Sequence, residues 1–463
     1  MLKTTLALFA VLWINVVCFA QPSRYELGRR MHDFEVAWDQ PGIDAAGKKR
    51  AAVLVNDAVQ SFFRLNLTKA GQLMDQARHS LRSAEPASPT TQWAESLTFE
   101  LPSRVFDTET KSIEATLVPF YKTELDIPAK AKAVFLFEQT PLVTAAISKL
   151  PQPISIPISL KDDADKQLHL HVVVDGKVLF RRAISISFLV NKAKRLQAAD
   201  DALLAMPELP ALEANTAAHL VRLIKAGDRT PETDMPYARF LSEIETILKT
   251  KSPYYTPERG GEFWLKLPIE KRTVTVRVAV PQKAKPPMPV VLALHGAGGS
   301  ENLFFDGYGN GITIREATRR GWFIVATNAG GLFGTGGAPP IDQIVEVLAK
   351  RYPLDTSKIF VVGHSMGAAH TISLAQQTKL KLTAIAALGG GGNVRQPEKF
   401  AKLPTFIGCG KDDFLLNGAR SLKTSLEKSP TVEYREYDDI EHLLIVREAT
   451  PDVYRFFEKQ LQK

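Results

Sequence analysis

Cysteine is nearly missing from this chain: Cys18 and Cys409 are the two among 463 residues. A disulfide framework and a zinc site built from cysteines are therefore excluded. If Cys18 leaves with the N-terminal segment, Cys409 stands alone, and its setting in TFIGCG reads as a buried, inert thiol. Long apolar runs are missing after the first twenty residues, so no later stretch reads as a bilayer-spanning helix. Concentrated charge is missing too. Against 50 Asp+Glu, 58 Lys+Arg leave a formal net charge of +8, scattered rather than clustered, which argues against a nucleic-acid partner. No internal repeat is evident, which excludes solenoids and propellers. What remains is a globular composition, 45% hydrophobic and 23% charged, on a chain too long for one ordinary core.

The N-terminus carries the first positive signal. MLKTTLALFAVLWINVVCFAQPS places Lys3, then an apolar run from Leu6 to Val17, then Cys18-Phe19-Ala20 before Gln21. That order is the one a secretory signal peptide needs. Residues 1–20 are expected to be removed, giving a secreted or periplasmic protein with no stable membrane span after cleavage.

Patterning then divides the chain. Residues 21–88 show apolar positions at helical spacing, as in AAVLVNDAVQSFFRLNLTKAGQLMDQ, and predict a helical segment. Asn66-Leu67-Thr68 matches a glycosylation acceptor but falls in that helical pattern, where coincidence is the expected reading. Residues 89–192 alternate at period two, with Asp175-Gly176 as a tight hairpin turn, and predict a small β-sandwich-like accessory domain. His169 and His171 share a strand face there without a third metal ligand, and Asp162, Asp163 and Asp165 read as a solvated turn. Residues 193–255 return to the helical period as a connector. From 256 to 463, apolar strands such as VVLALHG, GWFIVATNA and KIFVVGHS alternate with helical patterns. That alternation predicts an α/β domain with a mainly parallel sheet, whose chemistry collects at the carboxyl ends of the strands.

One such end is IFVVGHSMGAAH. Gly363-His364-Ser365-Met366-Gly367 is Gly-x-Ser-x-Gly between an apolar strand and a helix. The glycines remove side chains that would collide at a sharp turn, and the turn aims a serine out of the sheet. A serine hydroxyl needs a base, and the base needs an acid to orient it. In the chain order serine, acid, histidine, PTFIGCGKDDFLL offers Asp413 or Asp412. Asp413 has the Gly-x-x-Asp spacing from the strand end, with Asp412 as the alternative. His442, after the last strand, is the histidine that follows, being the only one beyond His370. His364 is expected to shape the pocket. LALHGAGGS ends another strand in a glycine-rich turn, so the backbone N–H groups of Ala297 and Met366 are assigned to an oxyanion hole, with His295 bracing the loop. Two more glycine-rich loops, Ala329–Pro340 with Leu332 and Phe333, and Gly389–Asn393, are expected to wall the site.

With HGAGGS, GHSMG and CGKDDFL, residues 256–463 resemble the α/β-hydrolase superfamily. The polyhydroxybutyrate depolymerase, feruloyl esterase-like and esterase D-like branches are the most similar. The resemblance implies a serine esterase acting on small-molecule or polymer-borne esters without cofactor or metal. Ala368 and Ile440-Glu441 depart from those branches, where glycines are usual. A prolyl oligopeptidase-like peptidase, or a binding protein built on the hydrolase fold, are the alternatives. The first is disfavoured because residues 21–255 are too short and too helical for a propeller.

Overall fold

The computed structural model describes residues 24–227, 232–283, 285–328 and 339–462. The signal-peptide reading of residues 1–20 therefore lies outside the described residues.

Helices α1 (24–38), α2 (Ala45–Phe63), α3 (Leu67–Ser80) and α4 (Pro89–Ser96) open the described chain. Asp44 starts α2 by accepting the Gly47 N–H, and Asn66 starts α3 by accepting that of Lys69 at 3.2 Å. Asn66 is thus an N-cap, which accounts for its presence without a glycan. Ala51, Ala52, Val55, Ala58 and Val59 make the buried stripe of α2. Buried Arg30 ties the group together, donating to Glu26 and Asp75, each at 2.9 Å, and to the Glu95 carbonyl.

Strands β1 (Leu97–Glu100), β2 (Val105–Asp107), β3 (Ser112–Pro119), β4 (Lys132–Phe137), β5 (Thr140–Ala146), β6 (Gln152–Pro157), β7 (Ala164–Val174) and β8 (Lys177–Leu189) follow. They form two sheets, ordered β1-β3-β6 and β2-β8-β7-β4-β5. Phe99, Ile113, Phe135, Leu170 and Phe188 meet in the core of this sandwich. Asp175 and Gly176 join β7 to β8 with φ of 48° and 78°, as a type I′ turn requires.

Helices α5 (Lys192–Ala205), α6 (Ala211–Ala226) and α7 (Tyr237–Thr250) come next. Asp165 accepts the N–H groups of Ala238 (2.9 Å) and Arg239 (3.2 Å). Asp162, Asp163 and Asp165 are exposed, as the solvated-turn expectation has them, but Asp165 also caps a helix. The first turn of α7 has orphan donors that Pro236, at its N-cap, cannot satisfy, and a carboxylate from the sandwich does so.

The remainder runs β9 (Gly261–Ile269), β10 (Arg272–Val280), β11 (Met288–Leu294), α8 (Ile312–Arg319), β12 (Phe323–Thr327), α9 (Ile341–Ala349), β13 (Leu354–His364), α10 (Met366–Gln377), β14 (Leu382–Leu388), β15 (Thr405–Gly410), α11 (Leu416–Ser425), β16 (Val432–Tyr437) and α12 (Leu444–Leu461). Its strands form one sheet ordered β16-β15-β14-β13-β11-β12-β10-β9. Only the pairings made by β10 are antiparallel. This is the α/β, mainly parallel sheet expected of the resembled superfamily. Along β11, Val290 and Leu292 enter one core while Val291 and Ala293 enter the other, because side chains alternate across a strand. The first core includes Leu220 of α6 and Phe240 and Ile244 of α7. The second includes Phe34, Trp38, Val55 and Leu73 of the N-terminal helices, together with Ile445 and Phe457 of α12. Both faces of the sheet are thus closed, one of them by the start of the chain.

Candidate active site

The elbow begins where β13 runs out. Ser365 has φ 55° and ψ −117°, a conformation that L residues rarely adopt. The neighbours make it possible. A Cβ on Gly363 would lie 2.1 Å from the Gly367 carbonyl oxygen, and one on Gly367 would lie 1.8 Å from that of Leu294. No larger residue fits either position. Ser365 therefore stands between β13 and the N-terminus of α10, where partly positive N–H groups converge.

Asp413 follows β15 and His442 follows β16. His442 Nδ1 lies 3.0 Å from both carboxylate oxygens of Asp413, and both side chains are buried. Asp413 also accepts the Leu415 N–H at 2.8 Å. Burial alone would push this carboxyl up, but the His442 hydrogen bond and charge and the Leu415 N–H outweigh it and hold it below its ordinary value. Asp412 is exposed, and its backbone N–H donates to the Ile440 carbonyl. The structure therefore brings Asp413, rather than Asp412, to His442.

Ser365, His442, Ala297, Gly298 and Gly299 line one cleft. Met366 is the first residue of α10, directly after Ser365. His295 is buried and its Nδ1 donates to the Gly296 carbonyl at 2.7 Å, bracing the loop that carries Ala297. The Gly389–Asn393 loop reaches the site, since a side chain at Gly389 would meet Asp413 Oδ2 at 3.0 Å. Residues 329–338 of the other loop, with Leu332 and Phe333, lie outside the described residues. Among the described residues, no group of three or more His, Cys, Asp or Glu could hold a metal ion. No described helix is long and apolar enough to cross a membrane.

Three features were not legible beforehand. The first is the wiring of His364. Its Nε2 lies 2.7 Å from the His442 backbone carbonyl, which can only accept, so Nε2 carries the proton. Nδ1 is then an acceptor, and the Tyr308 hydroxyl donates to it at 2.6 Å. That hydroxyl in turn accepts the Gly296 N–H at 3.3 Å. The elbow, the glycine turn after β11 and the His442 loop are thus joined through one neutral imidazole. Burial, then the nearby His442, push His364 down to about 3. The second feature is Glu441. Fully buried, it accepts the N–H groups of Leu443 (2.9 Å) and Leu444 (2.7 Å) at the start of α12. An acid just before the apolar run LLIV was the available signal, a helix-start pattern. The third is the opposite wall of the cleft, which comes from α1, α2 and α3. Periodicity shows that a helix has a buried face but not what covers it.

No protein-family model matches this chain. A bifunctional acetylxylan esterase/xylanase of Neocallimastix patriciarum is 27% identical over 150 residues, 31% of this chain and 22% of that protein. The chain therefore spans under a quarter of that relative's length. Among solved structures, the feruloyl esterase module from Clostridium thermocellum is similar with 15% identity and a TM-score of 0.38, covering 45% of this chain and 93% of that one. An S-formylglutathione hydrolase from Staphylococcus aureus shows 16% identity and a TM-score of 0.35, covering 44% and 99%.

Proposed function

We propose that the chain is a serine hydrolase that cleaves carboxylic esters through an acyl-enzyme. The observation that carries this reading is that His442, paired with buried Asp413, lines the same cleft as a serine on a strained elbow. The likeness to an acetylxylan esterase supports the ester bond as the target.

In this reading His442 Nε2 takes the proton from Ser365 Oγ as the hydroxyl attacks the ester carbonyl. The charge that develops on the carbonyl oxygen is met by the N–H groups of Ala297 and Met366. Each such donor contributes about 2.7–4 kcal/mol in the transition state. Asp413 holds Nδ1–H, fixes the tautomer and stabilises the imidazolium. His442 then protonates the leaving alcohol. Water, deprotonated by the same imidazole, attacks the acyl-serine and releases the acid. No cofactor or metal enters this scheme. The apolar N-terminal run from Leu6 to Val17 supports export, with removal of residues 1–20.

Ser365→Ala tests the assignment with p-nitrophenyl acetate and a melting curve measured together. The expected result is loss of hydrolysis by several orders of magnitude with folding intact. Unchanged turnover in a folded variant would remove Ser365 from the role.

A further inference from the structure

The wall facing Ser365 does not belong to the catalytic sheet and its helices. Leu27 and Met31 of α1, Val59, Phe62 and Phe63 of α2, and Met74 of α3 line it. These side chains carry no charge and no hydrogen-bond donor, and the two methionine sulfurs are only weak acceptors. The charged residues of the cleft are engaged with protein. Arg24 donates to the Gly298 carbonyl and pairs with Glu232 at 3.5 Å, and Glu232 accepts from Ser300 Oγ. Burial pushes the Glu232 carboxyl up to about 7, which further lowers its value as a cation site in acid. The apolar wall is continuous with the His442 loop. The Phe63 ring lies 6.0 Å from that of Phe414, which lies 4.5 Å from the His442 ring. Phe63 and Phe414 are both part-exposed, at 38% and 45%, as expected of groups at a mouth rather than in a core.

We propose that the N-terminal helices form the subsite for an extended apolar group of the substrate, and that the enzyme therefore selects medium-chain esters over acetyl esters. The proposal rests on Ser365 being the nucleophile, since it is the position of Ser365 that makes the wall a substrate subsite. Each methylene that enters such a wall contributes roughly fourfold in transition-state binding. Specificity is then set by a part of the chain that contributes nothing to the bond-breaking step.

The test compares kcat/KM for p-nitrophenyl octanoate and acetate in the full chain, in Leu27→Ser and in Met31→Trp. Val53→Trp serves as a control for added bulk, because Val53 is 55% exposed on α2 and does not line the cleft. A parallel arm measures octan-1-ol binding to Ser365→Ala by calorimetry, with and without Met31→Trp. The expected octanoate-to-acetate ratio is at least about 100. It falls tenfold or more in each wall variant and holds in the control, and Met31→Trp weakens octanol binding by a similar factor. A ratio near one that neither wall variant changes, in a protein that does hydrolyse acetate, overturns the subsite while leaving the nucleophile in place. Octanol binding that Met31→Trp abolishes, in a protein that hydrolyses no ester, upholds the apolar site and overturns the nucleophile. Loss of both arms overturns both. Should Met31→Trp fail to fold, Leu27→Ser decides both arms, because Leu27 is only half-buried and its replacement is smaller.

Discussion

Asp413 and Asp412 are adjacent in sequence and opposite in environment. One is buried with its carboxylate on the His442 ring, the other exposed. The proposed mechanism needs only the first. Asp413→Asn is expected to lower kcat by up to about 10⁴-fold, because an amide favours the wrong imidazole tautomer. Asp412→Asn is expected to change kcat by less than about twofold, since an exposed surface change is close to neutral. Steady-state kinetics on the two variants checks the ranking, and the reverse order would move the acid to Asp412. The elbow residues were readable because steric need leaves a fixed spacing in the sequence: Gly363 and Gly367 are the only residue type those contacts admit. The roles of His364 and Tyr308 were not readable, because a hydrogen bond between residues 56 positions apart leaves no local pattern.

At the scale of elements, helix α12 depends on Glu441. The carboxyl sits at the helix N-terminus, where its acceptor oxygens complete the first turn, yet full burial pushes it up to about 8. An unfolded glutamate titrates near 4.3, so between roughly pH 4.5 and 8 the folded protein holds a proton that the unfolded chain has lost. Stability contributed by this group is therefore fully present below about pH 4.5 and declines as pH rises through about 8. Glu232, pushed up to about 7, acts with the same sign. Glu441→Gln keeps the acceptor and removes the titration. The expected outcome is a shallower fall of melting temperature from pH 5 to pH 8 than in the unmodified chain. Thermal unfolding across that range measures it, and equal slopes would show that Glu441 does not titrate there. The strand and helix elements of the sheet were legible from period and run length. The capping by Asp165 of α7 and by Glu441 of α12 was less so. One cap comes from a distant strand, and the other required knowing that residue 441 would be buried.

At the scale of the molecule, the N-terminal helices complete the catalytic sheet as well as the cleft. Phe34, Trp38, Val55, Val59, Leu73, Met74 and Leu81 share a core with Phe304, Tyr308, Leu444 and Ile445. Each fully buried side chain of this kind contributes about 1.5–3 kcal/mol. Seven together are comparable with the whole net stability of a domain, about 5–15 kcal/mol. A buried ion pair crosses the same boundary: Glu35 accepts from Arg447 and from the Gly309 N–H, and Arg447 also reaches the exposed Asp39. Residues 251–463 expressed alone are therefore expected to unfold at least about 15 °C lower than the full chain, or to bind a hydrophobic dye in the native state. A truncated protein as stable as the full chain would contradict this. The order of segments along the chain was legible, whereas their assembly was not. Apolar faces on residues 45–80 announce a partner without naming it, and the partner lies more than two hundred residues away.

Whether Ser365 is a nucleophile activated by His442 is the point on which the rest depends, and covalent labelling addresses it without a choice of substrate. The full chain would be treated with a fluorophosphonate, beside His442→Ala, and the adduct mapped by peptide mass spectrometry. The account predicts a single adduct on Ser365, formed at least about 100-fold more slowly in His442→Ala, because an unactivated serine hydroxyl is a weak nucleophile. An adduct on another residue, or labelling of Ser365 at the same rate without His442, would contradict it.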